Sequence, residues 1–343
     1  MSLLEVKGLC VRFRTRKGWA RAVDGVDFSL DEGKTLAIVG ESGSGKSVTA
    51  MSLLRLLDGN GEIDKGEIIF EDGEKRVDLT QISIAEMEKI RGNKISMIFQ
   101  EPMTALNPVL SIGRQVIEPI CLHRGRTKEE AWKEGIQLLD AVQIPNPERV
   151  MKEYAHRLSG GMRQRVMIAM ALACDPKILI ADEPTTALDV TVQAQILRLM
   201  KELQTRKNTA VLFITHDLGV VGEIADEVAV IYCGKIVERA PAPVIFSNRT
   251  FLHPYTEGLI ASAPNDKTGE ARLDCILGSA PSSLSALVGC RFAPRCKYCK
   301  EKCKKEEPRL FQVGKNQFTR CFYPYRRERA RELDVEKICK REY

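Results

Sequence analysis

Apolar residues in the first part of the chain come in short runs whose spacing predicts β-strands. Residues 3–13 and 23–30 alternate or cluster apolar side chains over strand-like lengths, and the turn-forming sequence Asp31-Glu32-Gly33 follows the second run. A compact apolar run at 35–39 then leads through a glycine-rich segment into helix-forming residues at 48–57. Strand, glycine loop and helix in this order predict the beginning of a parallel α/β unit.

The second half of the chain continues this pattern. Residues 177–181 and 209–214 are compact, mainly apolar runs without alternation, as expected of strands in a parallel sheet that is covered by helices on both faces. Between them Ile196, Met200 and Leu203 recur at helical spacing, which predicts a helix between the two strands. The predicted fold class is therefore α/β.

A domain boundary is predicted where proline interrupts this pattern. The stretch 240–243 contains two prolines, and proline ends regular elements. A chain of 343 residues also exceeds the size of one typical domain. We predict two domains, residues 1–245 and 246–343.

The apolar runs are too short for a membrane protein. The longest, around residues 167–174, falls far below the ~18 residues that a membrane-spanning helix needs. Glu5 and Lys7 stand where a signal peptide would be continuously apolar. We therefore expect a protein that stays in the cytoplasm and does not cross a membrane.

Charge is distributed unevenly along the chain. The formal net charge is +6, but residues 290–343 carry 17 basic and 8 acidic side chains, a net +9. Eleven cysteines are many for a reducing compartment, where clustered thiols more often indicate metal or redox chemistry than disulfides. The C-terminal region is thus chemically distinct from the rest.

The glycine-rich segment at 40–47 matches the phosphate-binding pattern G-x-x-x-x-G-K-[ST]. Its glycines allow successive backbone N–H groups to surround phosphate oxygens at a helix N-terminus. In that pattern the lysine reaches the β- and γ-phosphates and the hydroxyl holds Mg²⁺. The predicted ATP-binding residues here are Gly40, Glu41, Ser42, Gly43, Ser44, Gly45, Lys46 and Ser47.

Two adjacent carboxylates end the predicted strand at 177–181. Successive residues that leave a strand point in different directions. Asp182 is therefore expected to support Mg²⁺, while Glu183 faces an attacking water. Taken alone, this pair would be read as an ordinary acidic strand end; its meaning comes from the phosphate-binding pattern in the same chain.

A second predicted anion site precedes these carboxylates. Ser159, Gly160 and Gly161 open a predicted helix, and helix N-termini attract anions. The chain therefore has one phosphate loop and, in addition, a helix N-terminus that is expected to attract phosphate. This combination suggests a nucleotide shared between two subunits.

Together these motifs resemble the nucleotide-binding subunit of ATP-binding cassette (ABC) transporters. The resemblance also includes Gln100, the stretch 187–189 and His216, in the family's order. It implies a P-loop NTPase (ABC ATPase) core with an antiparallel β subdomain and a helical signature subdomain. In this family Gln100 would sense Mg²⁺ and water, His216 would contact the γ-phosphate, Asp189 would act across the dimer, and the signature serine and glycines would close over ATP on the partner cassette. In this family an aromatic residue before the phosphate loop stacks on adenine. Trp19 and Phe13 both lie near that sequence position, so the identity of the stacking residue stays open.

Several stretches resemble the dipeptide, oligopeptide and nickel importer branch, namely residues 100–108, 158–171, 182–193 and 253–256. This resemblance implies a peripheral ATPase on the cytoplasmic face of the cell membrane. Its partners would be a second cassette, two membrane permease subunits and an extracytoplasmic solute-binding protein. The transported solute and the choice between two identical cassettes and a sister chain stay open. A soluble ABC ATPase that acts on nucleic acid is the alternative, but the long coiled-coil insertion typical of such proteins is missing, so we predict no nucleic-acid partner.

The same branch has a small cysteine-rich C-terminal extension, which is matched here by Cys290, Cys296, Cys303 and Cys321. Four thiolates suit a [4Fe–4S] cluster or Zn²⁺. The spacing lacks the two short cysteine pairs of a zinc ribbon, which favours the cluster; zinc and unligated cysteines are the alternatives. Cations at 291, 295, 297, 300 and 302 would offset the thiolate charge of a cluster. A solvated basic surface and a contact with anionic lipid or the membrane subunit are the alternatives.

Overall fold

The computed structural model describes residues 2–73, 75–101, 105–186, 188–247, 251–262, 276–281, 288–326 and 331–332. Residues 102–104 and Ala187, which belong to motifs quoted above, lie outside the described residues. The strands are β1 Ser2–Thr15, β2 Gly18–Asp31, β3 Thr35–Val39, β4 Gly61–Asp72, β5 Lys75–Asp78, β6 Ile95–Ile98, β7 Ile178–Asp182, β8 Ala210–Thr215, β9 Glu227–Tyr232, β10 Lys235–Pro241, β11 Phe251–Leu252, β12 Phe311–Gly314, β13 Gln317–Thr319, β14 Tyr325–Arg326 and β15 Arg331–Glu332. The α-helices are α1 Lys46–Leu53, α2 Ile84–Ile90, α3 Ile112–Arg124, α4 Lys128–Ala141, α5 Pro147–Val150, α6 Gly160–Leu172, α7 Val190–Lys207, α8 Leu218–Ile224, α9 Ala242–Ile245, α10 Pro254–Ala261 and α11 Glu301–Lys305.

The strands predicted from apolar runs are confirmed, but the helix after the phosphate loop is shorter than predicted. We expected it over 48–57, whereas α1 ends at Leu53. Arg55 adopts a left-handed φ of 50°, and the Leu56 and Arg55 N–H groups return to the carbonyls of Met51 and Ser52 at 2.9 and 3.0 Å. This is the Schellman pattern that closes a helix, and apolar periodicity alone does not reveal it.

The chain forms two compact units. The first contains Met1–Leu3, Leu30–Thr35 and Glu71–Ile214, and the second contains Leu4–Ser29, Leu36–Phe70 and Thr215–Tyr343. Both units draw on several separate segments of sequence. The predicted division at residue 245 follows the chain instead and stays a prediction.

The first unit combines parallel strands with helices. Strand β7 lies between β6 and β8 and is parallel to both. All five β7 residues are buried, which explains the unbroken apolar run, since such a strand shows no alternation. Helices α3, α4 and α6 contact one another. Gly113 on α3 permits this packing, because a Cβ there would lie 2.6 Å from both the Met151 carbonyl oxygen and the Trp132 ring.

The second unit contains an antiparallel sheet in the order β2-β1-β4 and a mixed sheet segment in the order β12-β13-β10-β9-β3. In the mixed segment β3 and β9 are parallel, whereas β9, β10, β13 and β12 are antiparallel neighbours. The two strands β12 and β13 come from the cysteine-rich part of the chain and extend the sheet through β10. Sequence analysis did not predict this pairing, because no local pattern links residues about eighty positions apart.

Aromatic side chains join the C-terminal region to the core of the second unit. Tyr232, Tyr255 and Phe292 meet with ring centroids 4.6 to 5.4 Å apart, in tilted and edge-on geometries that aromatic pairs prefer. Tyr232 and Tyr255 are almost completely buried. The residues around Phe292 therefore share one hydrophobic core with β9 and α10.

A buried carboxyl group stands beside this core. Glu238 on β10 is fully buried and accepts a hydrogen bond from the His253 N–H at 2.9 Å. Burial raises the pKa of Glu238 to about 8 and lowers the pKa of His253 to about 3. Both side chains are therefore neutral at pH 7, which avoids the cost of burying unpaired charge.

Among the described residues, no helix is both long enough and apolar enough to span a lipid bilayer.

Candidate functional site

The predicted phosphate loop, residues 40–47, lies between the end of β3 and the first turn of α1. Gly43 and Gly45 have left-handed φ angles of 76° and 105°, which glycine adopts without a steric cost. A Cβ on Gly40 would lie 2.2 Å from the Ile231 carbonyl oxygen. Backbone conformation thus favours glycine at positions 43 and 45, and lack of space for a side chain requires it at position 40.

Lys46 is buried and held by the loop itself. Its Nζ donates hydrogen bonds to the carbonyl oxygens of Gly40 at 2.8 Å and Glu41 at 3.0 Å. Ser44 Oγ is buried and has no hydrogen-bond partner among the described residues, although buried hydroxyls are normally paired. An ammonium and an unsatisfied hydroxyl in a concave loop suit the oxygens of a phosphate chain.

Glu41 makes contacts that the sequence analysis missed. Its backbone N–H donates to Tyr255 Oη at 2.8 Å. Its carboxylate receives both terminal nitrogens of Arg295, at 2.8 and 3.1 Å. These partners lie more than 200 positions from Glu41, and no sequence signal pointed to them.

Asp182 and Glu183 stand at the end of β7 in the first unit, and both are buried. The Glu183 N–H donates to the Ile214 carbonyl at 2.9 Å. Glu183 has a φ of 46°, a left-handed conformation that costs a non-glycine residue energy and tends to persist at functional sites. The assignment of Asp182 to Mg²⁺ and of Glu183 to the attacking water stays a prediction.

Gln100 and Glu183 come together in the structure, although they are 83 positions apart in the sequence. Gln100 Nε2 donates to Glu183 Oε2 at 3.2 Å, and Thr186 Oγ1 donates to the same oxygen at 2.9 Å. Thr186 was not predicted to be part of the site. Two hydrogen bonds fix the carboxylate in one orientation, which a general base requires.

The signature residues form an exposed helix start in the first unit. Ser159 caps α6, and its Oγ accepts a hydrogen bond from the Met162 N–H at 3.3 Å. Ser159 and Gly160 are exposed, and a Cβ on Gly160 would meet no atom within 4 Å. Glycine is therefore not needed here for packing within the chain. Gly161 is different, because a Cβ there would lie 3.1 Å from Val192.

The two remaining motif residues are exposed. Asp189 caps α7, and its side chain accepts a hydrogen bond from the Val192 N–H at 2.9 Å. His216 directly follows β8. Both side chains are therefore accessible to a ligand or to a second subunit.

The four predicted cluster cysteines line one small cavity in the second unit. Cys290, Cys296, Cys303 and Cys321 all border it, whereas Cys299 does not. Burial raises the pKa of Cys290 to about 11 and of Cys296 to about 12. Within the described residues, no three His, Cys, Asp or Glu side chains form a group that could hold a metal ion.

The cations near these cysteines have other partners. The charges of Arg291, Arg295 and Lys297 are taken up by carboxylates, namely those of Asp24, Glu41 and Glu257. The structure thus pairs these three cations with carboxylates, and an effect of their charge on the cysteine thiolates stays a prediction. Lys300 and Lys302 instead lie over the rings of Tyr323 and Phe322.

A glycine loop between strand and helix, a buried lysine and a positioned glutamate at a strand end define a P-loop ATPase. A family model described as "ABC transporter" matches residues 23–186, and one described as "Oligopeptide/dipeptide transporter, C-terminal region" matches residues 237–303. A third, described as "AAA domain, putative AbiEii toxin, Type IV TA system", matches residues 151–222.

Relatives match nearly the whole chain. The oligopeptide transport ATP-binding protein AppD of Bacillus subtilis is 52% identical over 94% of this chain and 96% of its own. OppD of Haemophilus influenzae, also an oligopeptide transport ATP-binding protein, is 50% identical over 93% of this chain and 97% of its own. The solved dimeric ATP-binding cassette MJ0796, bound to ADP and Pi after hydrolysis, is 28% identical with a TM-score of 0.62, and the match covers 70% of this chain and 98% of that one. The chain belongs to the ATP-binding proteins of ABC transporters, and it is an ATPase.

Proposed function

We propose that this chain is the motor subunit of an ABC importer for dipeptides or oligopeptides. The carrying observation is the match of its C-terminal region, residues 237–303, to the oligopeptide/dipeptide transporter model. The positioned Glu183 carboxylate supports the motor chemistry. The chain would bind peripherally at the cytoplasmic face of the membrane, together with a second cassette, two permease subunits and an extracytoplasmic solute-binding protein.

ATP binds in the phosphate loop of the second unit. Backbone N–H groups at the start of α1 surround the phosphates, and Lys46 moves its hydrogen bonds from the loop carbonyls to the β- and γ-phosphate oxygens. Ser47, Gln100 and Asp182 would provide oxygen ligands for Mg²⁺, and the ion would neutralise phosphate charge.

Hydrolysis depends on orientation of the attacking water. Glu183 accepts a hydrogen bond from that water and polarises it, Gln100 holds the carboxylate in place, and His216 contacts the γ-phosphate. Charge on the γ-phosphate is stabilised by fixed donors of the loop, so little reorganisation is needed during the reaction.

The second half of each ATP site comes from a partner cassette. The exposed Ser159 and Gly160 at the start of α6 leave an unobstructed helix N-terminus, which attracts the γ-phosphate of ATP bound to the other subunit. Helices α3 to α6 form the helical signature subdomain. Closure of two cassettes around ATP and reopening after hydrolysis move the permease subunits between their two states.

Reconstitution tests this function. The chain, a sister cassette and both permeases are inserted into proteoliposomes that contain ATP, and uptake of a labelled peptide is followed with the solute-binding protein outside. We expect ATP-dependent peptide uptake that non-hydrolysable ATP does not support. Uptake of nickel complexes without peptide uptake would contradict the peptide assignment, and ATPase activity stimulated only by DNA would contradict the importer assignment.

The cysteines of the C-terminal extension fit a [4Fe–4S] cluster. Their four side chains border one cavity, and sulfur is the ligand that iron–sulfur clusters favour. The described residues form no group that could hold a metal ion, so the proposal rests on the four cysteines that border one cavity and on their sulfur chemistry. The cluster would supply a redox-active centre held by Cys290, Cys296, Cys303 and Cys321, and Zn²⁺ is the alternative metal ion.

Metal analysis of protein purified without oxygen tests the cluster. We expect about four irons per chain and a broad visible absorption near 400 nm. Cys303→Ser should lose most of the iron, whereas the matched substitution Cys299→Ser should keep it, because Cys299 does not border the cavity. Stoichiometric zinc in a colourless sample, or iron loss in both variants alike, would contradict the proposal.

A further inference from the structure

We propose that Arg295 is a positioning residue for the ATP site, through which the cysteine-rich segment, residues 288–326, sets the geometry of the phosphate loop. Arg295 touches neither ATP nor water; it acts through Glu41, the second residue of the loop. This role presupposes the ATP site proposed above.

The contact between Arg295 and Glu41 is a two-pronged ion pair. Nη1 lies 2.8 Å from Oε2 and Nη2 lies 3.1 Å from Oε1. The Arg295 side chain is 6% exposed and the Glu41 side chain 29% exposed, so the pair is partly shielded from screening by salt. Paired bonds between a planar guanidinium and a carboxylate fix both position and orientation, which a single lysine contact does not.

Glu41 passes this constraint directly to the phosphate loop. Its N–H is held by Tyr255 Oη at 2.8 Å, and its carbonyl oxygen accepts a hydrogen bond from Lys46 Nζ at 3.0 Å. The same residue therefore contacts the segment through its side chain and the phosphate-binding lysine through its backbone. A displacement of the Glu41 carboxylate moves the carbonyl that orients Lys46.

Arg295 is itself held by its surroundings. Its Nε donates to the Leu277 carbonyl at 3.0 Å, and its Nη1 donates to Tyr232 Oη at 3.4 Å. It directly precedes Cys296, and Phe292, three residues earlier, packs on Tyr232 and Tyr255. Any rearrangement around Cys296 is therefore transmitted to Glu41. Because coupling is reciprocal, nucleotide in the loop also stabilises the segment.

Arg291 provides a matched control. It also lies in the cysteine-rich segment and also pairs with a carboxylate, that of Asp24, but none of its described hydrogen bonds reaches residues 40–47. Loss of Arg291 weakens attachment of the segment without releasing Glu41. Comparison of the Arg291 and Arg295 variants thus separates attachment of the cysteine-rich segment from control of the phosphate loop.

Steady-state ATPase kinetics and nucleotide binding test the role of Arg295. Arg295→Gln should raise KM and Kd for ATP about three- to tenfold, which lies in the lower part of the range of coupling between contacting residues, with kcat changed less than twofold. Arg295→Lys should recover part of this loss, and Arg291→Gln should leave KM for ATP unchanged. Unfolding curves of each variant confirm that the compared proteins are folded.

A double-mutant cycle separates action through Glu41 from other effects. If Arg295 acts through that carboxylate, Arg295→Gln has no further effect on KM in a Glu41→Gln background, and this double variant leaves no unpaired charge to disturb folding. Additive effects of the two substitutions on KM would overturn the role of Arg295. Equal KM increases in the Arg291 and Arg295 variants, or an unchanged KM in Arg295→Gln, would also overturn it. Failure of the wild-type chain to bind ATP would instead overturn the proposed ATP site.

Discussion

Replacement of Glu183 by glutamine is expected to reduce ATP turnover roughly 10²- to 10⁴-fold, the range for loss of a general base, while ATP binding is kept. Glutamine has nearly the same shape, so the contacts with Gln100 and Thr186 at 3.2 and 2.9 Å retain a partner oxygen. What is lost is the negative charge that polarises water. The closed, ATP-bound cassette dimer should therefore accumulate, visible as an ATP-dependent shift in size-exclusion chromatography.

Thr186→Val is the control for this experiment. It removes one hydrogen bond to the Glu183 carboxylate but leaves the charge in place, so its turnover should fall much less than that of the glutamine variant. Unaltered turnover in Glu183→Gln would exclude the role of Glu183. Loss of ATP binding in that variant would show that the carboxylate supports the nucleotide pocket rather than hydrolysis.

The parts of the candidate site that the sequence indicated most clearly are those defined by neighbouring residues. The phosphate loop depends on three closely spaced glycines, one lysine and the flanking strand and helix, and all of these lie within a few residues of one another. The strand that ends at Asp182 was predicted for the same reason, since its four buried apolar residues leave a clear local signal.

Contacts between distant segments could not be predicted in this way. Resemblance to the family identified Gln100, but no pattern indicated that Thr186 would bind the same carboxylate oxygen. The pair formed by Glu41 and Arg295 spans 254 positions, and both residue types are common on protein surfaces. Only the structure shows that these two charged side chains form an ion pair.

Charge composition did not identify the partners of the basic residues in the C-terminal region. A net charge of +9 over residues 290–343 suggested a cationic shell around the cysteines. Arg291, Arg295 and Lys297 instead pair with carboxylates elsewhere in the second unit. Net charge is a sum and contains no information about partners, so basic residues that bind one region to another look the same as basic residues that bind a ligand.

Alanine substitutions at two glycines of the phosphate loop are expected to differ strongly in their effect on the free energy of unfolding. Gly45→Ala should destabilise the fold by about 3 kcal/mol, because alanine at a φ of 105° is strained and its Cβ would lie 2.6 Å from the Ala22 carbonyl oxygen. Gly43→Ala should cost only about 1 kcal/mol, since its φ of 76° is also left-handed but its Cβ would meet no atom within 4 Å. Denaturant unfolding of both variants measures this difference.

The same comparison bears on ATP affinity. Gly45 immediately precedes α1, whose first N–H groups would face the phosphates in the proposed ATP site, so relief of the clash with the Ala22 carbonyl would displace those donors. The Kd of Gly45→Ala for ATP should therefore rise well beyond the rise in Gly43→Ala. Equal losses in the two variants would mean that flexibility of the loop, rather than close packing of its backbone against residue 22, determines how the phosphates are bound.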